Sequence, residues 1–138
     1  MKIIFLDIDG VLNTVQTLQR CDGFIGMSPI LVKRFNKLVK DTGAEVVLSS
    51  TWRLAKNWRK VMAKNGLDMK FLDRTVRLNA IRGEEIQEWL DRHDVEKYVI
   101  LDDDTDMLPD QIHFKTDFQK DGLTEDICKK VKQLLLDI

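Results

Sequence analysis

Two carboxylates one residue apart, Asp7 and Asp9, close the apolar run Ile3-Ile4-Phe5-Leu6 and are followed at once by Gly10. Residues i and i+2 of a strand share a face, and a strand that ends at the first carboxylate and turns at a glycine can aim both groups into one crevice. Open α/β sheets hold their ligands there, at the carboxyl ends of strands. Paired acids so placed have the layout of a magnesium-dependent phosphoryl-transfer site. A second acidic group, Asp102-Asp103-Asp104, ends the apolar run Tyr98-Val99-Ile100-Leu101. Adjacent carboxylates repel one another unless a cation is present, and Mg²⁺ takes oxygen ligands in a small octahedron of one or two carboxylates and waters. Between the two acidic groups, Glu45-Val46-Val47-Leu48 runs into Ser49-Ser50-Thr51-Trp52-Arg53. Hydroxyls and backbone N–H groups at such a strand-to-helix junction bind anions. The plainer reading of each cluster is a solvated acidic turn or a simple helix cap.

The elements that have to position these groups are legible in the apolar spacing. Ser28-Pro29 has the chemistry of a helix start, Leu31, Phe35, Leu38 and Val39 recur on one helical face, and Gly43 is a stop. Glu45 to Ser49 reads as a short buried strand. Leu54, Trp58, Val61 and Met62 mark a helix ending near Gly66, and Met69 to Leu72 reads as a short strand. Ile86, Trp89, Leu90 and His93 outline a third helix from near Gly83. Tyr98 to Leu101 and Ile112 to Lys115 supply two more strands. Thr124 then caps a last helix with Ile127, Val131, Leu134 and Leu135 on its inner face. Strands alternating with helices imply an α/β fold with a mostly parallel sheet covered on both faces. Residues 14–27 carry no helical period and contain Gly23 and Gly26, so they read as a loop or small hairpin flap over the end of the first strand.

A length of 138 residues suits one domain that buries about two thirds of its unfolded surface. Hydrophobic residues at 43% and charged residues at 33% describe a globular chain, and two prolines and seven glycines leave little room for disordered linkers. The net charge, 22 minus 23 or -1, gives no global positive field for nucleic acid or anionic membrane, so any nucleic-acid contact is local. The first apolar run is four residues long and broken by Asp7, which argues against a leader or a membrane span and for a cytoplasmic protein. Cys21 and Cys128 lack paired spacing and read as free thiols. His93 and His113 lack ligand-like spacing, and Trp58 and Trp89 fall on apolar helical faces.

Asp7-Ile8-Asp9-Gly10-Val11-Leu12-Asn13 resembles the first motif of the haloacid dehalogenase-like (HAD) superfamily, Asp-x-Asp-Gly followed by Thr or Val. Ser49 then matches the second motif, a hydroxyl at the end of a hydrophobic strand, and Leu101-Asp102-Asp103 resembles the fourth. The third motif is a single basic residue, best placed at Arg82 ahead of Gly83-Glu84-Glu85-Ile86, with Arg77, Arg74 and Arg53 as the other candidates. Leu48-Ser49-Ser50-Thr51-Trp52-Arg53, Arg82-x-x-Glu85-Ile86 and the late Gly122-Leu123-Thr124 also look like small HAD domains grouped with RNA-repair proteins.

The resemblance implies a Rossmann-like three-layer sandwich over residues 1–138, with about five strands and no large cap domain. It implies that Asp7 attacks phosphorus to form an aspartyl-phosphate and that Asp9 protonates the leaving oxygen and then activates water. Mg²⁺ would be held by Asp7, Asp103 and the backbone carbonyl of Asp9, with Asp102 in support and Asp104 and Asp106 as outlying candidates. Ser49, Ser50 and Arg82 would bind the phosphoryl group. An acid at position 9 points to phosphatase or phosphotransferase chemistry rather than dehalogenation. With no cap, the open site admits a nucleic-acid end, a phosphoprotein or a small phosphate ester, and Trp52 and Arg53 are candidate contacts to a base or a second phosphate, although Trp52 also reads as packing on the sheet. The sequence calls for no membrane and no obligate protein partner. Two alternatives stand beside hydrolysis: a non-catalytic module that binds a phosphorylated ligand, and transfer to an acceptor other than water.

Overall fold

The computed structural model describes residues 1–78 and 80–138. In chain order these form β1 (Lys2–Leu6), the hairpin strands β2 (Arg20–Cys21) and β3 (Phe24–Ile25), α1 (Pro29–Thr42), β4 (Glu45–Leu48), a 3₁₀ turn (Thr51–Leu54), α2 (Trp58–Lys64), β5 (Asp73–Arg74), α3 (Arg82–Asp91), β6 (Lys97–Asp102), β7 (His113–Lys115) and α4 (Glu125–Leu136). Among the described residues, five strands make one all-parallel sheet in the order β5-β4-β1-β6-β7. The chain steps outward from β1 to β4 and β5, then returns to place β6 on the other side of β1. Order therefore reverses around β1, which is where open sheets leave a crevice beyond their strand ends.

Strand alternation sorts the core into two layers. Ile4, Leu6, Val46, Leu48, Val99 and Leu101 pack with α1, α2 and α4, while Ile3, Phe5, Val47 and Ile100 pack with Ile86 and Trp89 of α3. β1 to β4 pairing is in register from Ile3 opposite Glu45 to Leu6 opposite Leu48, and β1 to β6 from Lys2 opposite Lys97 to Leu6 opposite Leu101. A shift of one residue would exchange the two faces, so the apolar pattern itself fixes which residues emerge together at the strand ends.

Helix starts follow their capping residues. The Ser28 and Thr124 hydroxyls accept the N–H groups of Leu31 and Ile127, and Gly43 ends α1 in the left-handed region with φ 67°. Three sequence expectations need correction. The helix expected from Leu54 is split into the 3₁₀ turn and α2, because Ala55 is extended with ψ 139° and leaves Leu54 exposed. The strand expected at Met69 to Leu72 lies at Asp73–Arg74, since Phe71 turns inward to meet Trp58 edge-on at 5.7 Å and the ladder begins only at the Leu72 N–H. His93 lies beyond α3, its ring stacked on Trp89 at 3.7 Å.

Residues 14–27 contain the expected small hairpin. Asp22 and Gly23 both take positive φ, 51° and 83°, the signature of a two-residue type I′ turn. Among the described residues, no helix is long and apolar enough to cross a membrane.

Candidate active site

Three adjacent strands deliver their last residues to one crevice. Asp7 follows β1, Ser49 follows β4, and β6 ends in Asp102 with Asp103 next. Carboxylate oxygens of Asp7, Asp102 and Asp103 lie within 4.8 Å of one another. Asp7 and Asp102 are buried and Asp103 is half-buried. Gly10 makes the close approach possible: it has φ +86°, and a Cβ there would sit 2.3 Å from the Asp103 carboxyl group.

Arg82 enters from the start of α3. Its Nη1 donates to Asp7 Oδ1 at 3.2 Å and to Asp102 Oδ2 at 3.0 Å. Its own N–H donates to Asp106 Oδ2 at 2.9 Å, which anchors the first turn of the helix. Burial works against the guanidinium charge, but Asp7 and Asp102 outweigh it and its pKa is raised.

One cation does not balance three acids. Burial, and then the Asp102 charge, push the Asp7 carboxyl well above the usual carboxylate range in spite of Arg82. Burial and Asp102 likewise raise Asp103. At an effective dielectric of 20, two unit charges about 5 Å apart repel by about 3 kcal/mol. An all-oxygen donor set under such repulsion fits a hard divalent cation such as Mg²⁺.

Ser49 is fully buried, and its hydroxyl is among the described buried polar atoms that lack a hydrogen-bond partner. A buried hydroxyl without a partner is costly, and this one stands at the end of β4, the strand paired with the one that leads into Asp7. Ser50 stands differently. Its hydroxyl accepts the Trp52 N–H at 3.2 Å and caps the 3₁₀ turn, and its own O–H remains a donor.

Arg53 requires a larger correction. It is 3% exposed, and its guanidinium donates to the carbonyls of Thr75, Ser49, Ser50 and Val76 and to Glu85 Oε1 at 3.1 Å. With its donors spent inside the protein, it is a structural clamp and not a substrate contact. Arg74 is also committed, donating to the Arg53 carbonyl.

Asp9 is exposed and its carboxylate stands outside the three-acid cluster. Asn13 Nδ2 donates to Asp9 Oδ1 at 2.9 Å, and the Trp52 indole N–H approaches both carboxylate oxygens at 3.4 and 3.3 Å. Trp52 is half-buried against the core as well, so packing and site contact coexist.

Sequence reasoning gave Asn13 no role. It is fully buried, accepts the Gly10 N–H at 2.9 Å, and donates to the Gly26 carbonyl at 2.7 Å as well as to Asp9. One amide thus ties the turn after β1, the general acid candidate and the flap together. The available signal was a short polar residue four positions after Asp9, where an Asx side chain readily bonds a nearby N–H.

The profile of a family described as the HAD domain in Swiss Army Knife RNA repair proteins matches residues 3–127. No curated protein and no solved structure matches the chain.

Proposed function

The chain belongs to the family of HAD domains in Swiss Army Knife RNA repair proteins, and on that premise we propose that it hydrolyses a phosphate monoester, carried on a nucleic-acid end or a nucleotide, through an aspartyl-phosphate on Asp7. The observation that carries this reading is the pairing of a buried nucleophile candidate with a separate acid. Asp7 is gripped by Arg82, whereas Asp9 is held apart by Asn13 and Trp52. A site that only bound a metal would not need the second carboxylate.

The steps follow from the residues. Asp7 attacks phosphorus while the bond to the ester oxygen breaks, and Asp9 gives that oxygen its proton. Asp9 then takes a proton from water, which attacks the aspartyl-phosphate and releases inorganic phosphate and free Asp7. Arg82 and the Ser49 hydroxyl steady the charge that spreads over the phosphoryl oxygens, and preorganised donors of this kind are worth about 2.7–4 kcal/mol each. Asp7 and Asp103, with Asp102 beside them, would hold Mg²⁺, whose chemistry is to neutralise the phosphoryl oxygens as a Lewis acid. The same groups support activity in whichever compartment supplies the substrate, for which the sequence favours the cytoplasm.

The test is magnesium-dependent phosphate release by wild type and Asp7→Asn on an aryl phosphate, mononucleotides, 5′- and 3′-phosphorylated oligonucleotides, phosphopeptides and sugar phosphates. Release that needs both Mg²⁺ and Asp7 is the expected result. Wild-type-like turnover by folded Asp7→Asn would defeat the assignment, and release only on adding a second acceptor would move it to phosphotransfer.

A further inference from the structure

A second feature adjoins the site on the Asp9 side. The flap hairpin, the 3₁₀ turn, the start of α2 and the loop at Phe118 line an open cleft of about 640 Å³ with Asp9 in its wall. Resting on the phosphatase reading above, we propose that this cleft seats the sugar and base of a terminal nucleoside, the base stacked on its aromatic walls, while the phosphate lies at Asp7.

Position identifies which part of a substrate enters. Asp9 protonates the leaving oxygen, so a group reaching past Asp9 into the cleft is the leaving alcohol and not the phosphoryl group. The wall chemistry selects the kind of alcohol. Phe24, Trp52 and Phe118 supply three aromatic side chains to the lining, and Ile25, Ala55 and Val61 supply aliphatic ones. Phe24 is 77% exposed on the hairpin, so a large ring is left in water beside the site. Stacking of a base on an aromatic side chain is worth about 1–3 kcal/mol.

Charge narrows the class further. Among the described residues, the lining includes Asp9 and Asp22 but no lysine or arginine. An alcohol bearing a second phosphate in the cleft would meet uncompensated carboxylates, whereas an uncharged nucleoside meets none of that cost. The cleft's volume of about 640 Å³ leaves room for a sugar together with its base, within the roughly 300–1,000 Å³ of ligand pockets.

The wall is also tied to the chemistry. Trp52 offers its ring to the cleft and its indole N–H to the Asp9 carboxylate. The flap is fastened to the same acid through Asn13, which bonds both Asp9 and the Gly26 carbonyl. A base that stacks on Trp52 therefore presses on a residue that already orients the general acid.

The experiment is an NMR titration that reads the Trp52 indole N–H, assigned by its loss in Trp52→Phe. Adenosine is added to wild type. Adenosine monophosphate, glycerol phosphate and phosphotyrosine are added with Mg²⁺ to Asp7→Asn, which holds substrates without turnover. The proposal expects saturable shifts of the Trp52 signal with adenosine and adenosine monophosphate. It also expects the monophosphate to bind at least tenfold more tightly than glycerol phosphate or phosphotyrosine, with most of that preference lost in Phe24→Ala and kept in Phe24→Tyr. Phe24 lies on the surface, so its removal leaves the core untouched. No Trp52 shift, equal affinities, a preference for phosphotyrosine, or a preference unchanged in Phe24→Ala would each overturn it. Phosphate release by wild type is measured in parallel. Nucleoside binding without release would keep the cleft and remove the phosphatase reading, while release with no role for Phe24 would do the reverse.

Discussion

Gly10 shows how little space the three-acid site leaves at the level of a residue. Its positive φ costs a residue with a side chain about 1–2 kcal/mol, and a Cβ would strike the Asp103 carboxyl group. Gly10→Ala is therefore expected to stay folded by circular dichroism but to lose at least tenfold in magnesium-dependent turnover, with a raised Mg²⁺ requirement; an unchanged Mg²⁺ requirement would show that Asp103 does not need that approach. The motif Asp7-x-Asp9-Gly10 was legible because it is contiguous, and so was the Asp102-Asp103 pair. Asn13 was not, because one of its partners is the backbone of Gly26 across a flap whose path no periodicity reveals. Arg53 was misread for a related reason: a guanidinium next to a phosphate site looks like a ligand group until its five donors are seen to face carbonyls and Glu85.

Among the elements, α3 is the one whose placement decides whether the site exists, and buried charges hold it. Arg53 binds Glu85, whose other oxygen accepts the Leu78 N–H, and Glu85 in turn stands 3.9 Å from Arg82. This series joins the 3₁₀ turn after β4 to the approach to α3 and to the cation on Asp7. Both members of the Arg53 to Glu85 pair are almost fully buried, at 3% and 4%. Removing one partner of such a pair costs about 3–5 kcal/mol because a charge is stranded. Arg53→Met should lower Tm by roughly 10 °C or more, and adding Glu85→Leu should recover much of the loss. A Tm that stays put while KM rises would instead return Arg53 to the role of a substrate contact. Helix caps at Ser28 and Thr124 were readable from sequence because capping is local. The division of the 3₁₀ turn from α2 was not, since it depends on Ser50 and on a buried Arg53 whose partners come from distant segments.

Across the whole molecule the architecture follows from β1 lying between β4 and β6, so that acids from both ends of the sequence meet at one edge. Alternating strands and helices disclosed the parallel sheet; the order of its strands depends on long-range pairing that no local pattern encodes. The convergence has a measurable electrostatic cost in the metal-free protein. Asp7 and Asp103 are raised above the ordinary carboxylate value of about 4, so between that value and their raised ones the folded protein binds more protons than the unfolded chain. Their contribution to stability is thus complete below about pH 4 and declines as pH climbs through the raised values. In EDTA, Asp103→Asn should melt at a higher temperature than wild type at pH 8, with a smaller difference at pH 5, and Mg²⁺ should stabilise wild type much more than the variant. A lower metal-free Tm for Asp103→Asn at pH 8 would contradict the repulsion. Cys128 offers a control far from the acids: burial pushes its thiol up to about 11, so it should resist alkylation at pH 8 while the half-buried Cys21 reacts.

The central claim, covalent catalysis by Asp7, is tested most directly by trapping. A substrate found in the phosphate-release panel is mixed with wild type and with Asp9→Asn, quenched in acid within a single turnover, and the phosphorylated peptide is mapped by mass spectrometry. Phosphate on Asp7 is the predicted result, accumulating further in Asp9→Asn when the substrate is an aryl phosphate, whose leaving group departs without a proton from Asp9 while water is no longer activated. An enzyme that turns over with no label on Asp7, or with label on Asp9 or Ser49, would contradict the account.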